Sequence, residues 1–193
     1  MHNASIPPMK SAPNLILIGP MGAGKTSIGK RLASRLGLVF VDADHEIERL
    51  TGASVSLIFE LEGEAAFRAR EHEVLRRLCQ GSGQVIATGG GAILHPETRA
   101  LLPERGFVVY LSVDPDTQLH RLRNDRKRPL LQTPDRRAVL QRISAERTGL
   151  YESIADLRHD TARGNFRQGV ERIALHLAAH WTLAQTHTTE TTL

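Results

Sequence analysis

One stretch near the start of the chain constrains its fold more than any other feature of the sequence. Residues 19–26 read GPMGAGKT, which fits the pattern of Gly, any four residues, Gly-Lys and then Ser or Thr. An apolar run precedes the stretch, and a helical pattern that ends near Leu36 follows it. In this context glycines free backbone N–H groups to wrap phosphates, and the amino terminus of the helix adds a favourable dipole. The stretch therefore predicts a phosphate-binding loop, with a glycine-rich turn as the alternative.

The residues of this loop have separate predicted roles. Lys25 bridges the β- and γ-phosphates of a nucleotide, and the Thr26 hydroxyl is a ligand for Mg²⁺. The residues predicted to bind ATP in this part of the chain are Gly22, Ala23, Gly24, Lys25, Thr26 and Ser27.

The apolar runs predict the fold class. Four of them are each followed by a helical pattern: NLILIG (14–19), LVFVDAD (38–44), QVIATG (84–89) and FVVYLS (107–112). A weaker strand covers Leu157 to Asp160. Runs that are apolar at successive positions suit strands buried on both faces of a mainly parallel sheet. The alternation predicts an α/β domain with a three-layer, doubly wound sheet over residues 13–184, between disordered tails at 1–12 and 185–193.

Capping signals mark two of the predicted helix starts. Asp114 can cap a helix whose first position is Pro115, and Asp135 can cap the pattern that follows it. The last helix is predicted from about Gln168 to Ala184.

Composition excludes several classes of protein. The net charge is +4 with a pI near 9.7, but aromatic residues make up only 4%, which leaves few platforms for stacking bases. Much of the basic excess lies in HRLRNDRKRPLL (120–131), which indicates a local anion site and not an extended surface for nucleic acid.

No apolar run approaches the roughly 18 residues that span a bilayer, so we expect no membrane segment. A start without a secretory signal and the single Cys79 favour a cytoplasmic protein.

Two aspartates follow the second predicted strand. Asp42 and Asp44 lie at its carboxyl end, where open α/β sheets bind ligands. Two residues apart in an extended segment, their side chains point to the same side. One carboxylate can serve a metal ion and the other a substrate hydroxyl. The alternative for Asp44 is that it caps the next helix.

Two arginines are predicted to face inward on helices. Arg68 borders an apolar stripe beside Glu71, and Arg147 falls on the stripe of Leu140 and Ile143. An inward arginine needs an anionic partner, because an unpaired buried charge is very costly. The partner is either an internal carboxylate, for example Glu71, or the carboxylate of a ligand held by planar guanidinium groups.

Three consecutive glycines, Gly89 to Gly91, directly follow the apolar run QVIA. Glycine weakens any regular element in which it lies. Either the segment is a flexible turn, or another group approaches its backbone too closely for a Cβ atom.

The basic stretch ending at Arg128 interrupts the alternation of strands and helices. In an enzyme that transfers phosphate, such a loop can close over the nucleotide and bring charge to the transferring group. A solvated run of charges is the alternative.

His176 and His180 have the spacing of a metal pair but lack an evident third ligand.

In their order and spacing these motifs resemble the shikimate kinase family, from about Asn14 to Trp181. The resemblance rests on GPMGAGKT, the DAD of Asp42 and Asp44, FRARE (67–71), TGGGA (88–92), RKRPLL (126–131) and ERTGLY (146–151). It implies a P-loop fold like that of nucleoside monophosphate kinases, with a mobile lid at about residues 121–135. It also implies ATP-dependent phosphorylation of the 3-hydroxyl of shikimate with Mg²⁺, a step toward aromatic amino acids. A monomer is expected.

The resemblance also assigns roles to residues that bind shikimate. Asp44 matches the aspartate that binds the substrate hydroxyls and accepts the proton of the attacking one. Arg68 and Arg147 match the arginines that hold the carboxylate. Gly90 matches the glycine that hydrogen-bonds the substrate through its main chain, and Gly90→Val is expected to abolish turnover in a folded protein.

On the nucleotide side, Thr26 matches the residue that is a ligand for Mg²⁺. Asp42 matches a position that supports the metal, usually through water. Arg128 matches a catalytic lid arginine that reaches the phosphates, and Arg121 one that stacks near adenine. The loop DTARGNF (160–166) matches poorly at the place where the family frames adenine.

Two alternatives remain at the level of the sequence. A related kinase, for example one for gluconate, shares the phosphate loop but does not need Arg68 and Arg147 together with TGGG. A nucleotide-binding regulatory module without catalysis is the alternative from another class.

Overall fold

The computed structural model describes residues 9–125 and 129–184. The helices and strands, in chain order, are β1 (Lys10–Ala12), β2 (Asn14–Ile18), α1 (Lys25–Leu36), β3 (Val39–Asp42), α2 (Ala43–Thr51), α3 (Val55–Leu78), β4 (Gln84–Ala87), α4 (Pro96–Arg105), β5 (Phe107–Ser112), α5 (Pro115–Arg121), α6 (Arg136–Glu152), β6 (Leu157–Asp160), α7 (Phe166–His180) and β7 (Trp181–Leu183). Short 3₁₀ turns cover Ala92–Leu94 and Pro129–Leu131.

Five parallel strands form the central sheet in the order β3-β4-β2-β5-β6. The central strand β2 is buried at every position, and so is β5, because helices cover both faces. Leu15 and Leu17 of β2 point toward α1 and α7, whereas Ile16 and Ile18 point toward α3, α4 and α6. The predicted three-layer, doubly wound α/β fold is confirmed, including the fifth strand at 157–160.

The two predicted caps are confirmed by hydrogen bonds. The Asp114 carboxylate accepts from Thr117 N at 2.8 Å, with Pro115 as the first residue of α5. The Asp135 carboxylate accepts from Ala138 N at 3.0 Å and so starts α6.

The ends of the domain differ from the prediction. Strand β1 pairs in parallel with β7, so the expected disordered tail does not extend to residue 12, and the last helix ends at His180 and not at Ala184. Burial explains both corrections, because Ala12 is buried and its carbonyl accepts a 3.1 Å hydrogen bond from Trp181 Nε1. Residues 1–8 and the predicted tail at 185–193 lie outside the described part of the chain.

No helix in the described ranges combines the length and the apolar surface that a bilayer crossing needs.

The parallel order brings the loops that follow β2, β3 and β4 to one edge of the sheet. These loops carry GPMGAGKT, the DAD sequence and TGGGA. The carboxyl ends of parallel strands are the usual ligand-binding edge of such sheets.

Candidate active site

The stretch at residues 19–26 forms a loop between β2 and α1, as predicted. A Cβ atom at Gly19 would lie 2.3 Å from the Leu111 carbonyl oxygen, so only glycine fits there. Gly22 and Gly24 have φ angles of 75° and 89°, which favour glycine. Because α1 begins at Lys25, its free N–H groups point toward the loop, which is the geometry of an anion site.

The side chain of Lys25 lies along the inner side of this loop. Its Nζ donates hydrogen bonds to the carbonyl oxygens of Gly19 at 2.6 Å and Pro20 at 2.9 Å. The ammonium group is therefore already held at the place where phosphate oxygens would enter the loop.

Thr26 and Asp42 form a direct pair beside the loop. Thr26 Oγ1 donates to Asp42 Oδ2 at 2.8 Å. A hydroxyl and a carboxylate are the hard oxygen ligands that Mg²⁺ prefers, and Mg²⁺ usually keeps several waters. The pair therefore fits the magnesium site expected from the sequence.

The geometry expected for the two aspartates is wrong in one respect. Asp42 ends β3, but Asp44 lies in the first turn of α2 and not in an extended segment. The cap of α2 is Asp42, whose Oδ1 accepts from Asp44 N at 3.1 Å, so the alternative that Asp44 caps this helix is also wrong. Both carboxylates nevertheless line the same cavity.

That cavity, of about 330 Å³, lies beside the phosphate loop. It brings together most of the predicted substrate and metal residues. Those lining it are Thr26, Asp42, Asp44, Arg68, Gly90 and Arg147, together with Met21, His45, Glu48, Val55, Phe59, Phe67, Glu71, Gly89, Gly91, Asp125 and Leu130.

Arg68 enters the cavity from α3 and is held on several sides. Its Nη1 donates to Glu71 Oε2 at 2.6 Å and its Nη2 donates to Glu64 Oε1 at 3.0 Å. The guanidinium carbon lies 5.2 Å from the ring centroid of Phe67 and 5.7 Å from that of Phe59. The internal ion pair with Glu71, the alternative raised by the sequence, is thus present.

Glu71 is a buried carboxylate, and the sequence indicated it only as a possible partner of Arg68. Its side chain is 1% exposed, and burial raises its pKa to about 7, although Arg68 acts in the opposite direction. Glu71 Oε1 has no hydrogen-bond partner among the described residues. The pair is therefore fixed inside the protein, and most of the Arg68 guanidinium is covered.

Arg147 faces inward from α6, as its helical spacing predicts, and is 5% exposed. Its Nη1 donates to the Gly90 carbonyl oxygen at 3.2 Å. The Tyr151 hydroxyl donates to the same oxygen, and burial raises the pKa of this phenol. Tyr151 is a second residue that the sequence motif contained without showing its role.

Both cavity arginines have a buried Nε that lacks a hydrogen-bond partner in the described structure. Buried N–H groups are nearly always paired, so these two stand out as donors for which the described residues supply no acceptor. A carboxylate with two oxygens is the group that such planar donors recognise best.

Gly89 and Gly91 are required by close approach, and none of the three glycines has an unusual φ angle. A Cβ atom at Gly89 would lie 2.0 Å from Glu71 Oε1, and one at Gly91 would lie 2.2 Å from Arg68 Nη2. At Gly90 the nearest atom would be Met21 N at 3.3 Å. The interpretation that another group approaches this backbone is confirmed, and the groups are the Arg68 and Glu71 side chains.

Helix α5 supports the phosphate loop from the opposite side. Buried Gln118 donates from Nε2 to the Met21 carbonyl oxygen at 2.8 Å, a contact with no signal in the sequence. Arg121 donates to the Gly22 carbonyl oxygen at 3.0 Å and to the Thr161 carbonyl oxygen at 2.6 Å. Arg121 thus lies beside the loop but outside the cavity, next to the segment 160–166.

Part of the segment predicted to form a lid, at about residues 121–135, belongs to the described ranges. A break between α5 and α6 occurs where the sequence predicts it, and Leu130 from its 3₁₀ turn lines the cavity. Arg128 lies outside the described residues.

Comparison with known proteins identifies the family. The family model for shikimate kinase matches residues 21–178. The chain is 52% identical to a shikimate kinase of Stenotrophomonas maltophilia over 173 residues, which is 90% of this chain and 96% of that one. The chain belongs to the shikimate kinase family. It is therefore a kinase with the fold of that family.

Solved shikimate kinases have the same fold. One from Acinetobacter baumannii, in complex with shikimate, superposes with a TM-score of 0.84 at 44% identity, covering 87% of this chain and 94% of that one. Another from Aquifex aeolicus gives a TM-score of 0.74 at 33% identity, covering 86% and 96%.

Proposed function

We propose that this protein transfers the γ-phosphoryl group of ATP to the 3-hydroxyl of shikimate, giving shikimate 3-phosphate and ADP. The observation that carries the proposal is one cavity in which two inward arginines and Asp44 lie beside a phosphate-binding loop. The reaction supplies the route to chorismate and the aromatic amino acids.

Arg68 and Arg147 hold the carboxylate of shikimate. Both side chains line the cavity, and both are fixed by protein contacts before the substrate arrives. Such fixed donors need little reorganisation on binding. The ring hydroxyls then lie toward Asp44, and the Gly90 main chain contacts the substrate.

Asp44 accepts the proton of the attacking 3-hydroxyl. The hydroxyl oxygen forms a bond to the γ-phosphorus, while the bond from that phosphorus to the β–γ bridging oxygen breaks and its electron pair leaves with ADP. The loop N–H groups and Lys25 stabilise charge on the phosphate oxygens.

Thr26 and Asp42 would hold Mg²⁺, which supplies charge neutralisation at the phosphates when it is bound. Arg121 borders the adenine side of the loop. Arg128 brings a positive charge from the lid to the transferring group, a role proposed from its place in the sequence.

We further propose that the protein works as a monomer in the cytoplasm. ATP is its co-substrate, and Cys79 is a buried free thiol, which suits a reducing compartment.

A coupled assay of ADP release with Mg-ATP tests the proposal with shikimate, quinate and gluconate as acceptors. We expect turnover with shikimate, and its loss in Arg147→Ala. The matched control is Arg142→Ala, because Arg142 lies on the exposed side of the same helix. Turnover with gluconate and not with shikimate would mean that the protein is a kinase for a different substrate. Tight ATP binding without turnover on any acceptor would support the regulatory module.

A further inference from the structure

A cluster of two histidines and a glutamate lies where α3 contacts the start of α4. His72 follows Glu71 on α3, and His95 and Glu97 lie at the start of α4. One ligand atom from each of the three side chains lies within 4.8 Å of the others. No other group of three or more His, Cys, Asp or Glu in the described ranges meets this condition.

The His72 ring has a polar neighbour at each of its two nitrogens. His72 Nδ1 lies 2.8 Å from the Thr98 hydroxyl, and His72 Nε2 lies 3.3 Å from Glu97 Oε2. A hydrogen bond at one ring nitrogen orients the other one as a ligand, and metal-binding histidines nearly always have such a partner. Thr98 is 1% exposed, so this supporting contact is itself fixed.

The ring of His95 is the second feature of this cluster that indicates a ligand. Its Nδ1 is buried and has no hydrogen-bond partner among the described residues. The two imidazole rings are stacked, with centroids 4.4 Å apart and planes 12° apart. A polar contact between helices does not explain why a buried ring nitrogen is left without a partner.

We propose that His72, His95 and Glu97 bind a zinc-class divalent cation with an open fourth position. Two imidazoles and one carboxylate form a donor set typical of Zn²⁺, whereas Mg²⁺ and Ca²⁺ prefer oxygen ligands. Tetrahedral zinc holds its ligand atoms about 3.4 Å apart. The cluster, whose ligand atoms lie within 4.8 Å of one another, therefore contracts by at most about 1.4 Å, and the rings tilt. The Glu97 side chain is 78% exposed and free to make that adjustment.

The cation would connect α3 to the start of α4. His95 comes four positions after Gly91, and His72 comes directly after Glu71, so both elements of the substrate cavity are attached to the site. The site stabilises this wall of the cavity and takes no part in phosphoryl transfer.

Calorimetric titration with ZnCl₂ tests the site in the untagged full chain after bound metal has been removed. Excess MgCl₂ is present throughout, so that the proposed magnesium site at Thr26 and Asp42 is saturated. We expect one zinc per chain with Kd in the micromolar range or tighter. The melting temperature should rise by roughly 5–10 °C at a free zinc concentration of 100 Kd.

Three variants decide where the zinc binds. His95→Ala and Glu97→Gln should each weaken binding, with His95→Ala weakening it about 100-fold or more, because even an indirect ligand contact contributes 10–100-fold. His176→Ala is the matched control, since His176 and His180 form another stacked pair, 4.0 Å apart, on α7. If His95→Ala does not fold, the exposed Glu97→Gln decides alone.

Three results would overturn the proposal. The first is a wild-type chain that binds no zinc in the micromolar range. The second is equal zinc binding by the wild-type, His95→Ala and Glu97→Gln proteins. The third is loss of zinc binding in His176→Ala, which would place the cation on α7.

Discussion

Arg147 and Gly90 lie 57 positions apart in the sequence and are joined by a 3.2 Å hydrogen bond from the guanidinium Nη1 to the glycine carbonyl oxygen. The Tyr151 hydroxyl donates to the same oxygen from one turn further along α6. Helix α6 therefore fixes both a carboxylate-binding group and the backbone of the glycine segment. Two hydrogen bonds thus connect α6 to the glycine segment across the substrate site.

Arg147→Lys tests whether the shape of this cation matters. Lysine keeps the charge but loses the planar group and the contact with Gly90. Because a charge-assisted hydrogen bond contributes about 1.5–3 kcal/mol, we expect the KM for shikimate to rise roughly 10- to 100-fold. The KM for ATP should be nearly unchanged. Steady-state kinetics with each substrate varied in turn measures both values, and a parallel rise in both would contradict the assignment.

Gly89→Ala tests the close approach of Glu71 to the glycine segment. The new Cβ atom would lie 2.0 Å from Glu71 Oε1, so the carboxylate must shift and its pairing with Arg68 is disturbed. We expect a loss of kcat/KM for shikimate of roughly 100-fold, equivalent to about 2.7 kcal/mol. Activity close to wild type would mean that Glu71 moves without consequence.

Gly90→Ala is the matched control for that variant. Its Cβ atom would lie 3.3 Å from Met21 N, a contact that a small backbone adjustment relieves. We expect a loss of activity at least tenfold smaller than in Gly89→Ala. The larger Gly90→Val is still expected to abolish turnover, and circular dichroism will report whether it folds.

Local signals in the sequence explain which parts of this structure could be predicted. The phosphate loop, the Asp114 cap and the inward direction of Arg147 each depend on residues within a few positions of one another. Gln118 and Tyr151 could not be assigned, because their partners lie 97 and 61 positions away and their contacts arise only from packing.

The two aspartates show that the exact end of a strand is harder to predict than its presence. The sequence places both at the carboxyl end of β3, but it does not fix the residue at which the strand stops. Asp42 ends the strand by capping α2, which turns Asp44 into the helix. A boundary shift of two residues changes the geometry while leaving both carboxylates in the cavity.

Thr26→Ser and Thr26→Val separate the hydroxyl from the shape of the side chain. Serine keeps an oxygen for Asp42 and for Mg²⁺, whereas valine is nearly isosteric but lacks that oxygen. We expect Thr26→Ser to retain activity within about tenfold and Thr26→Val to lose roughly 100-fold or more. The assay is ADP release over a range of Mg²⁺ concentrations, with chelation by EDTA expected to stop the wild-type enzyme. Equal activity of the two variants would show that the Thr26 hydroxyl is not a ligand for Mg²⁺.

Glu71→Gln tests the buried carboxylate through stability. Because burial raises the pKa of Glu71 from 4.5 to about 7, the folded protein keeps a proton that the unfolded chain releases between these values. More protons bound in the folded state means that stability falls as pH rises through this window and levels off above it. The wild-type free energy of unfolding should therefore fall by about 2–3 kcal/mol more than that of Glu71→Gln between pH 4.5 and 7.5. Arg68 stays charged throughout and adds no slope of its own. Urea unfolding at a series of pH values gives both curves, and parallel curves would mean that Arg68 keeps Glu71 ionised across the whole range.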